Sequence, residues 1–290
     1  MTSLDKNKDL ISLVIFTCEG REHLLAQTML SFKKACSFQF SQVIMVIDGQ
    51  ISNAIKENLN PDLILQSPKR KGYVNSISKV LPLIKTPYFF WLEDDWDFPN
   101  PVEIDKWLNI LEAEPTALQI ILAKDALNSN IHHPYAGIHK SDLGFSANPS
   151  INKTQAIQKA FSALELASKN ESTKLVGFEN YIESYRKAHQ MESLMIFDYE
   201  KAYVAHSGYL ESTAREYHMI NSIDEENSTI EKEYISGFGY HQKISLRNKI
   251  SLIPKLVIAF FWLAIHAFSE RYVYDYGLRI YKSYLKKFKS

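Results

Sequence analysis

Short apolar runs alternate with amphipathic stretches through the first half of the chain. Uninterrupted apolar runs of strand length predict strands at residues 11–17, 42–47, 63–66, 88–92 and 118–123. Between these runs, apolar positions recur at helical spacing and predict helices at residues 22–38, 52–59, 73–84 and 101–114. Apolar strands that alternate with helices are typical of a parallel sheet covered on both faces. The predicted fold class is therefore α/β, with a mostly parallel sheet flanked by helices.

The second half of the chain has a less regular pattern. Helical spacing predicts helices at residues 153–168 and 178–190, and a short apolar run predicts a strand at residues 202–204. Residues 128–150 are rich in Asn, His, Pro and Gly, and residues 222–233 are polar and charged. Both compositions predict loops.

Residues 241–290 differ in composition from the rest of the chain. They hold ten Lys and Arg residues against two Asp and Glu residues, although the whole chain has zero formal net charge. The first 240 residues are therefore net acidic, which argues against nucleic-acid binding. The most hydrophobic segment is residues 250–268, but its uninterrupted apolar part, 256–265, is too short to span a bilayer. We expect a C-terminal helical extension that either contacts a membrane surface through residues 250–290 or packs on the rest of the chain.

The cysteine content and the N-terminal sequence indicate the cellular compartment of the protein. The two cysteines, Cys18 and Cys36, do not demand a disulfide. The first ten residues are polar and lack the apolar stretch of a signal peptide. These features predict a cytoplasmic protein, with the basic extension at the cytoplasmic face of a membrane if it binds one.

Three consecutive acids, Glu93, Asp94 and Asp95, follow the predicted strand at 88–92. Adjacent carboxylates repel one another unless a cation or hydrogen-bond donors compensate. Mg²⁺ is bound in this way, by a few carboxylates together with phosphate oxygens of a substrate. Ligands of parallel sheets bind at the carboxyl ends of the strands, where residues 17–21 and Asp48 are also expected. The alternative is a solvated turn ahead of the prolines that follow.

The order of these segments resembles the nucleotide-binding half of GT-A-fold glycosyltransferases, especially family 2. The matching pieces are the first strand and its Leu-rich helix, the Asp-Gly pair after the second strand, and FFWLEDDWDF, and the resemblance covers residues 11–125. It implies that Asp48 contacts the nucleoside and that Asp95 binds the metal. Glu93 and Asp94 would hold the ribose and the surrounding network, as in some N-acetylglucosaminyltransferases that carry a Glu-Asp-Asp variant. The loop at residues 18–20 has one residue more than the family pattern.

Further donor-binding residues are expected in two loops. The loop after the first strand offers Thr17, Glu19 and Arg21. A basic stretch ahead of the helix at residue 73 offers Lys71, as a cation for a diphosphate, and Gly72, which lets the backbone approach closely. A solvated basic turn is the alternative for this stretch.

The second half of the chain must supply a catalytic base, and the resemblance implies an acid near a helix start. Glu179 is the first candidate, and Glu183, one turn later on the same helix, is the second, with a surface helix acid as the alternative for each. Asp198 and Glu200 are further options. The resemblance also implies a late histidine as an additional metal ligand, which His206 matches, although a structural histidine is the alternative. Trp96 is a candidate for stacking on a sugar.

Together these residues predict a metal-dependent glycosyltransferase that uses Mn²⁺ or Mg²⁺ and acts with inversion. Its partners would be a nucleotide-sugar donor, carrying a hexosyl or N-acetylhexosaminyl group, and a glycan or lipid-linked acceptor in surface polysaccharide synthesis. Residues 1–125 would form the donor half, residues 126–240 the acceptor half, and residues 241–290 the extension. The chain lacks the P-loop pattern and the His-Glu-x-x-His pattern of zinc proteases.

Two other classes of protein stay open on the sequence. A sugar nucleotidyltransferase shares the sheet pattern, but it usually carries a Gly-rich loop near the first strand, where this chain has only Gly20. A non-catalytic, membrane-associated protein could also retain the fold. The intact acids Asp48, Asp94 and Asp95 argue against this second class.

Overall fold

A computed structural model describes residues 7–124, 137–141, 144–167, 178–198 and 202–207 of the chain. The chain divides into two compact units, residues 1–231 and 232–290. All described residues belong to the first unit, so the predicted basic extension lies outside them, and the three predicted segments stay a prediction. Within the described ranges, none of the helices combines the length and the apolar character needed to cross a membrane.

Strands and helices alternate through the first unit. The strands are β1 Ile11–Cys18, β2 Gln42–Asp48, β3 Leu63–Ser67, β4 Tyr88–Glu93, β5 Trp96–Asp97, β6 Ala117–Leu122, β7 Gly137–Lys140, β8 Ser150–Lys153, β9 Glu192–Phe197 and β10 Ala205–His206. The α-helices are α1 Glu22–Ala35, α2 Asn53–Leu59, α3 Tyr73–Val80, α4 Ile104–Ala113, α5 Thr154–Ala167 and α6 Phe178–Ala188. Short 3₁₀ turns span Lys8–Leu10 and Leu81–Leu83.

The central sheet has eight strands in the order β3-β2-β1-β4-β8-β6-β9-β7. The first four pair in parallel, and β6 pairs in parallel with β9. Only β8, between β4 and β6, and the edge strand β7 run antiparallel to their neighbours. This mostly parallel sheet with helices around it confirms the predicted α/β class. A second, two-stranded sheet pairs β5 with β10.

The core lies on both faces of the sheet, because side chains alternate along each strand. On β4, Phe90 and Leu92 pack on the face covered by α1 and α4, whereas Phe89 and Trp91 pack on the face covered by α3, α5 and α6. All four side chains are fully buried. Burial on both faces explains why β4 is an uninterrupted apolar run.

Several predicted bounds differ from the observed ones for identifiable reasons. The predicted helix at residues 101–114 begins at Ile104, because Glu103 before it has a non-helical backbone (φ −95°, ψ 66°). The backbone N–H of Val102 donates to Ala35 O at the end of α1 (2.9 Å). The predicted helix at residues 73–84 tightens into a 3₁₀ turn at Leu81–Leu83, where Pro82 cannot donate a backbone hydrogen bond. The strand predicted at residues 202–204 is instead Ala205–His206.

Candidate functional site

The carboxyl ends of β1, β2 and β4 lie side by side at one edge of the sheet. In the parallel register, Cys18 pairs with Asp48, and Phe16 pairs with Glu93. Thr17 and the start of the acidic cluster therefore occupy adjacent strands, as predicted for the carboxyl-end edge of a parallel sheet. Both Asp94 and Asp95 are buried there, with about 5% of each residue exposed.

Asp94 is fully engaged by two neighbours from the β1–α1 loop. Thr17 Oγ1 donates to Asp94 Oδ2 (2.7 Å), and Arg21 Nε donates to Asp94 Oδ1 (2.8 Å). The same guanidinium reaches the next acid, because Arg21 Nη2 donates to Asp95 Oδ2 (2.7 Å). Burial lowers the pKa of Arg21, but the two carboxylates more than offset this effect and raise it overall. Arg21 is therefore a permanent cation between two buried acids.

His206 lies against Asp95 because of the small β5–β10 sheet. His206 pairs with Trp96 across this sheet, and the backbone N–H of Ser207 donates to Asp95 O (2.9 Å). The imidazole Nε2 is 3.3 Å from Asp95 Oδ2. Burial lowers the pKa of His206 against the opposing effect of Asp95, which favours the neutral form of the imidazole. A neutral imidazole nitrogen and a carboxylate oxygen are both metal-ligand groups.

Glu93 lies in the floor of the site among aromatic side chains. Trp96 Nε1 donates to Glu93 Oε2 (3.3 Å), and the Tyr73 phenol also contacts the Glu93 carboxylate. Trp91 Nε1 in turn donates to Tyr73 Oη (2.8 Å). Burial raises the pKa of Glu93 to about 8, with further contributions from the nearby Asp95 and Glu179 charges. The raised pKa favours the protonated form of Glu93, and its proximity to Glu179 brings the second half of the chain to this edge.

Glu179 is the second residue of α6, and its carboxylate turns toward the acidic cluster. The backbone N–H of Ala147 donates to Glu179 Oε1 (2.7 Å). Within the part of the chain that the structure describes, no hydrogen bond reaches the other oxygen, Oε2. Burial raises the pKa of Glu179, whereas the bond from Ala147 and the Lys124 charge oppose the rise. The arrangement leaves one basic oxygen available for proton transfer.

Glu183 lies one turn further along α6 and is engaged on both oxygens. Arg186 Nε donates to Oε2 (2.6 Å), Arg186 Nη2 donates to Oε1 (2.8 Å), and the backbone N–H of Phe145 donates to Oε2 (2.8 Å). These donors, Arg186 first among them, hold the pKa of Glu183 at about 2. Gly144 has a φ of +71°, and a Cβ there would come within 2.4 Å of the Glu183 carboxyl carbon. Glu183 thus anchors the loop that positions Ala147 against Glu179.

Asp48 and Glu19 tie together the loops that follow β1, β2 and β3. The backbone N–H groups of Lys71 and Gly72 donate to Asp48 Oδ1 (2.7 Å) and Oδ2 (2.9 Å). Glu19 Oε2 accepts from the backbone N–H of Gln50 (3.0 Å). The predicted donor-binding residues of these loops therefore meet at one place, where they brace one another.

The predicted stacking role of Trp96 is wrong, because its ring is buried on all sides. Only 1% of the residue is exposed. Its ring meets the His206 ring edge-on, with centroids 4.8 Å apart, and Lys124 Nζ lies 5.2 Å from its centroid. Trp96 instead holds Glu93, His206 and Lys124 around one ring. The sequence did not predict a place in the site for Lys124 or Tyr73. Lys124 follows strand β6 and Tyr73 begins helix α3, and neither lies in a recognisable motif.

The site contains a pair of candidate metal ligands and not a complete protein cage. Among the described residues, no group of three or more His, Cys, Asp or Glu side chains is placed to hold a metal ion. The pair is Asp95 and His206. A cation held there would need its remaining ligands from a substrate, as Mg²⁺ does when it is bound with substrate phosphates.

Comparisons with known proteins give a structural likeness and no sequence family. No family model matches the chain, and no curated protein matches it. Among solved structures, the crystal structure of GalNAc-T7 with UDP, GalNAc and Mn²⁺ is similar at 14% identity with a TM-score of 0.48. The match covers 70% of this chain and 44% of that chain, so this chain spans less than half of that protein's length.

Proposed function

We propose that the protein is a metal-dependent glycosyltransferase that moves a sugar from a nucleotide-sugar to a glycan or lipid-linked acceptor. One observation carries the proposal: Asp95 Oδ2 and His206 Nε2 lie 3.3 Å apart at the carboxyl-end edge of a parallel sheet. Glu179, from the second half of the chain, reaches the same edge and contributes to the raised pKa of Glu93. A metal half-site beside an available base suits displacement of a diphosphate.

Asp95 and His206 fit Mn²⁺ or Mg²⁺ as a two-ligand half-site. A carboxylate suits both ions, and Mn²⁺ also accepts an imidazole nitrogen. The bound ion would stabilise the negative charge that develops on the diphosphate leaving group. The loops braced by Asp48 and Glu19 would hold the nucleoside and phosphates of the donor.

Glu179 is the proposed general base of an inverting reaction. The acceptor hydroxyl oxygen forms a bond to the anomeric carbon while the bond to the diphosphate breaks on the opposite side. The hydroxyl proton passes to Glu179 Oε2. Because burial raises the pKa of Glu179, its carboxylate is a stronger base than an exposed one. The bond from Ala147 fixes its direction.

The basic extension supports our proposal for the acceptor and the place of action. Residues 241–290 carry a net charge of +8, which favours an anionic membrane surface such as the cytoplasmic face. A lipid-linked acceptor in surface polysaccharide synthesis would be presented there. Flotation of the full chain with vesicles tests this part of the proposal. We expect recovery with vesicles that contain phosphatidylserine and none with purely zwitterionic vesicles, and equal recovery would contradict it.

Binding and turnover together test the main proposal. We expect calorimetry to detect one of UDP, GDP, CDP or ADP when Mn²⁺ is present, and the corresponding nucleotide-sugar to be turned over. A sugar nucleotidyltransferase would instead use a nucleoside triphosphate with a sugar 1-phosphate and release pyrophosphate. A non-catalytic protein would turn over none of these substrates, and either result would replace the proposal.

A further inference from the structure

We propose that Arg21 prevents Asp95 from binding a divalent cation by itself, so that metal enters the site only together with the nucleotide diphosphate. The inference rests on the proposed function and adds an order of binding to it. It is based on the contact of the Arg21 guanidinium with Asp95 Oδ2, the same oxygen that lies next to His206 Nε2.

Arg21 occupies the metal side of Asp95. Its Nη2 is 2.7 Å from Asp95 Oδ2, and His206 Nε2 is 3.3 Å from the same oxygen. The guanidinium is also anchored on Asp94 through Nε and Nη2 (2.8 and 2.7 Å). Asp94 is in turn held by Thr17 Oγ1. Arg21 is therefore a fixed cation at the half-site, and not a mobile side chain that a metal displaces at no cost.

Charge then decides whether a free metal ion binds. A positive charge within hydrogen-bond distance of the ligand oxygen repels a divalent cation, and this repulsion is weakly screened because the pair is largely buried. Asp95 supplies one formal negative charge, and an imidazole that binds a metal through a ring nitrogen supplies none. In the part of the chain that the structure describes, no third His, Cys, Asp or Glu side chain completes a cage. A metal ion without further ligands therefore finds an Asp95 carboxylate whose Oδ2 already pairs with the Arg21 guanidinium.

A nucleoside diphosphate changes this balance in two ways. Its oxygens supply the ligands that the two side chains lack, and its charge offsets the repulsion between Arg21 and the metal. Its phosphate oxygens are also alternative acceptors for a guanidinium, which weakens the hold of Arg21 on Asp95. Metal and diphosphate should thus bind with strong positive coupling, and Arg21 should be its source.

Direct measurement of Mn²⁺ binding tests the inference without an activity assay. The full chain is titrated with Mn²⁺ and the free ion is followed by electron paramagnetic resonance, alone and with saturating UDP, GDP, CDP or ADP. We expect the best of these nucleotides to tighten Mn²⁺ binding by about 10-fold or more, within the usual range of coupling between two sites. We expect Arg21→Gln to bind Mn²⁺ alone about 10-fold more tightly than the parent and to show a smaller nucleotide effect.

A matched pair of variants guards against a folding defect. Arg21→Gln leaves Asp94 buried without its cation, so we also compare Asp94→Asn with Arg21→Gln/Asp94→Asn, which differ only in the guanidinium. The double variant should bind Mn²⁺ alone more tightly than Asp94→Asn, and Arg21→Lys, which keeps the charge, should resemble the parent. Equal or weaker Mn²⁺ binding after removal of the guanidinium would overturn the inference alone. Failure of the parent to bind Mn²⁺ with any nucleotide would overturn the proposed function as well.

Discussion

The acidic side chains on the two sides of the site differ in how many of their oxygens accept hydrogen bonds from the protein. On the β1–β4 side, both oxygens of Asp94 and both oxygens of Asp48 accept hydrogen bonds from the protein. On the α6 side, Glu179 accepts one bond from Ala147. The difference indicates that hydrogen bonds hold the first side in a fixed shape, and in the proposed function the second side keeps an oxygen for proton transfer. The same contrast recurs within α6, where Glu183 is fully paired one turn after Glu179.

The largest expected effect comes from the available oxygen on the α6 side. Glu179→Gln removes the proposed base but keeps the acceptor for the Ala147 N–H, so kcat should fall by about 10²- to 10⁴-fold. Nucleotide and Mn²⁺ binding should stay within about twofold of the parent, since among the described residues no hydrogen bond joins Glu179 to the β1–β4 loops or to Asp95. Turnover and calorimetry of the same preparation measure both quantities.

Glu183→Gln is the matched control for Glu179→Gln, because it makes the same chemical change on the same helix. It should leave kcat within about threefold of the parent, because the Gln side chain still offers an acceptor to the Phe145 N–H that anchors the loop. A loss of kcat as large as that of Glu179→Gln would mean that the α6 side acts as one unit, and the contrast between the two glutamates would be wrong.

Asp94→Ala should remove the hydrogen bonds that hold the β1–β4 side of the site. It should lower the free energy of unfolding more than the substitution of a surface acid does. The change leaves the Arg21 guanidinium, which is 16% exposed, without its main partner. Removal of one partner of a buried ion pair lowers the free energy of unfolding by about 3–5 kcal/mol. The exposed neighbour Asp97 is the control, and Asp97→Ala should change the free energy of unfolding by about 0.5 kcal/mol or less. Urea unfolding of both variants gives the comparison, and equal stability would show that Asp94 and Arg21 do not brace the loop.

The Glu183–Arg186 pair predicts a smaller, pH-dependent effect on stability. Because the pKa of Glu183 is depressed to about 2 from its ordinary value of 4.5, its contribution is complete above pH 4.5. The contribution is lost as the pH falls toward 2. The carboxylate is 20% exposed, so solvent screening limits the pair to about 1 kcal/mol. Parent and Glu183→Gln should differ in free energy of unfolding at pH 7 and converge at pH 2, whereas a difference independent of pH would contradict the assignment.

The sequence predicted the edge of the sheet where Thr17, Asp48 and Glu93 meet. These predictions succeeded because uninterrupted apolar runs mark buried parallel strands, and the polar residue after each run must lie at the carboxyl end. This information is local, since each strand and the acid that follows it are contiguous in the chain.

The features that the sequence did not predict depend on contacts between residues that are far apart in the chain. Strand β8 was not predicted because it reads SINK, in which the buried Ser150 and Asn152 are polar and bond to each other. The bonds from Arg21 to Asp94 and Asp95 join residues more than 70 positions apart, so no spacing rule exposes them. Lys124 reaches the site only because β6 lies two strands from β4 in the sheet order.

Lys124 links the two sides of the site and gives the smallest expected effect. Its charge opposes the rise in the pKa of Glu179, so Lys124→Gln should raise that pKa further. A general base must be deprotonated, and activity is lost as the pH falls through its pKa, so the acid limb of the kcat/KM profile should move to higher pH. At neutral pH the loss should be about fivefold or less, because an exposed charge contributes at most about 1 kcal/mol. Lys106→Gln, an exposed charge on α4 paired with Glu103, should leave the profile unchanged. If the Lys124→Gln profile keeps its acid limb, Lys124 acts on Trp96 alone, and the two sides of the site work independently.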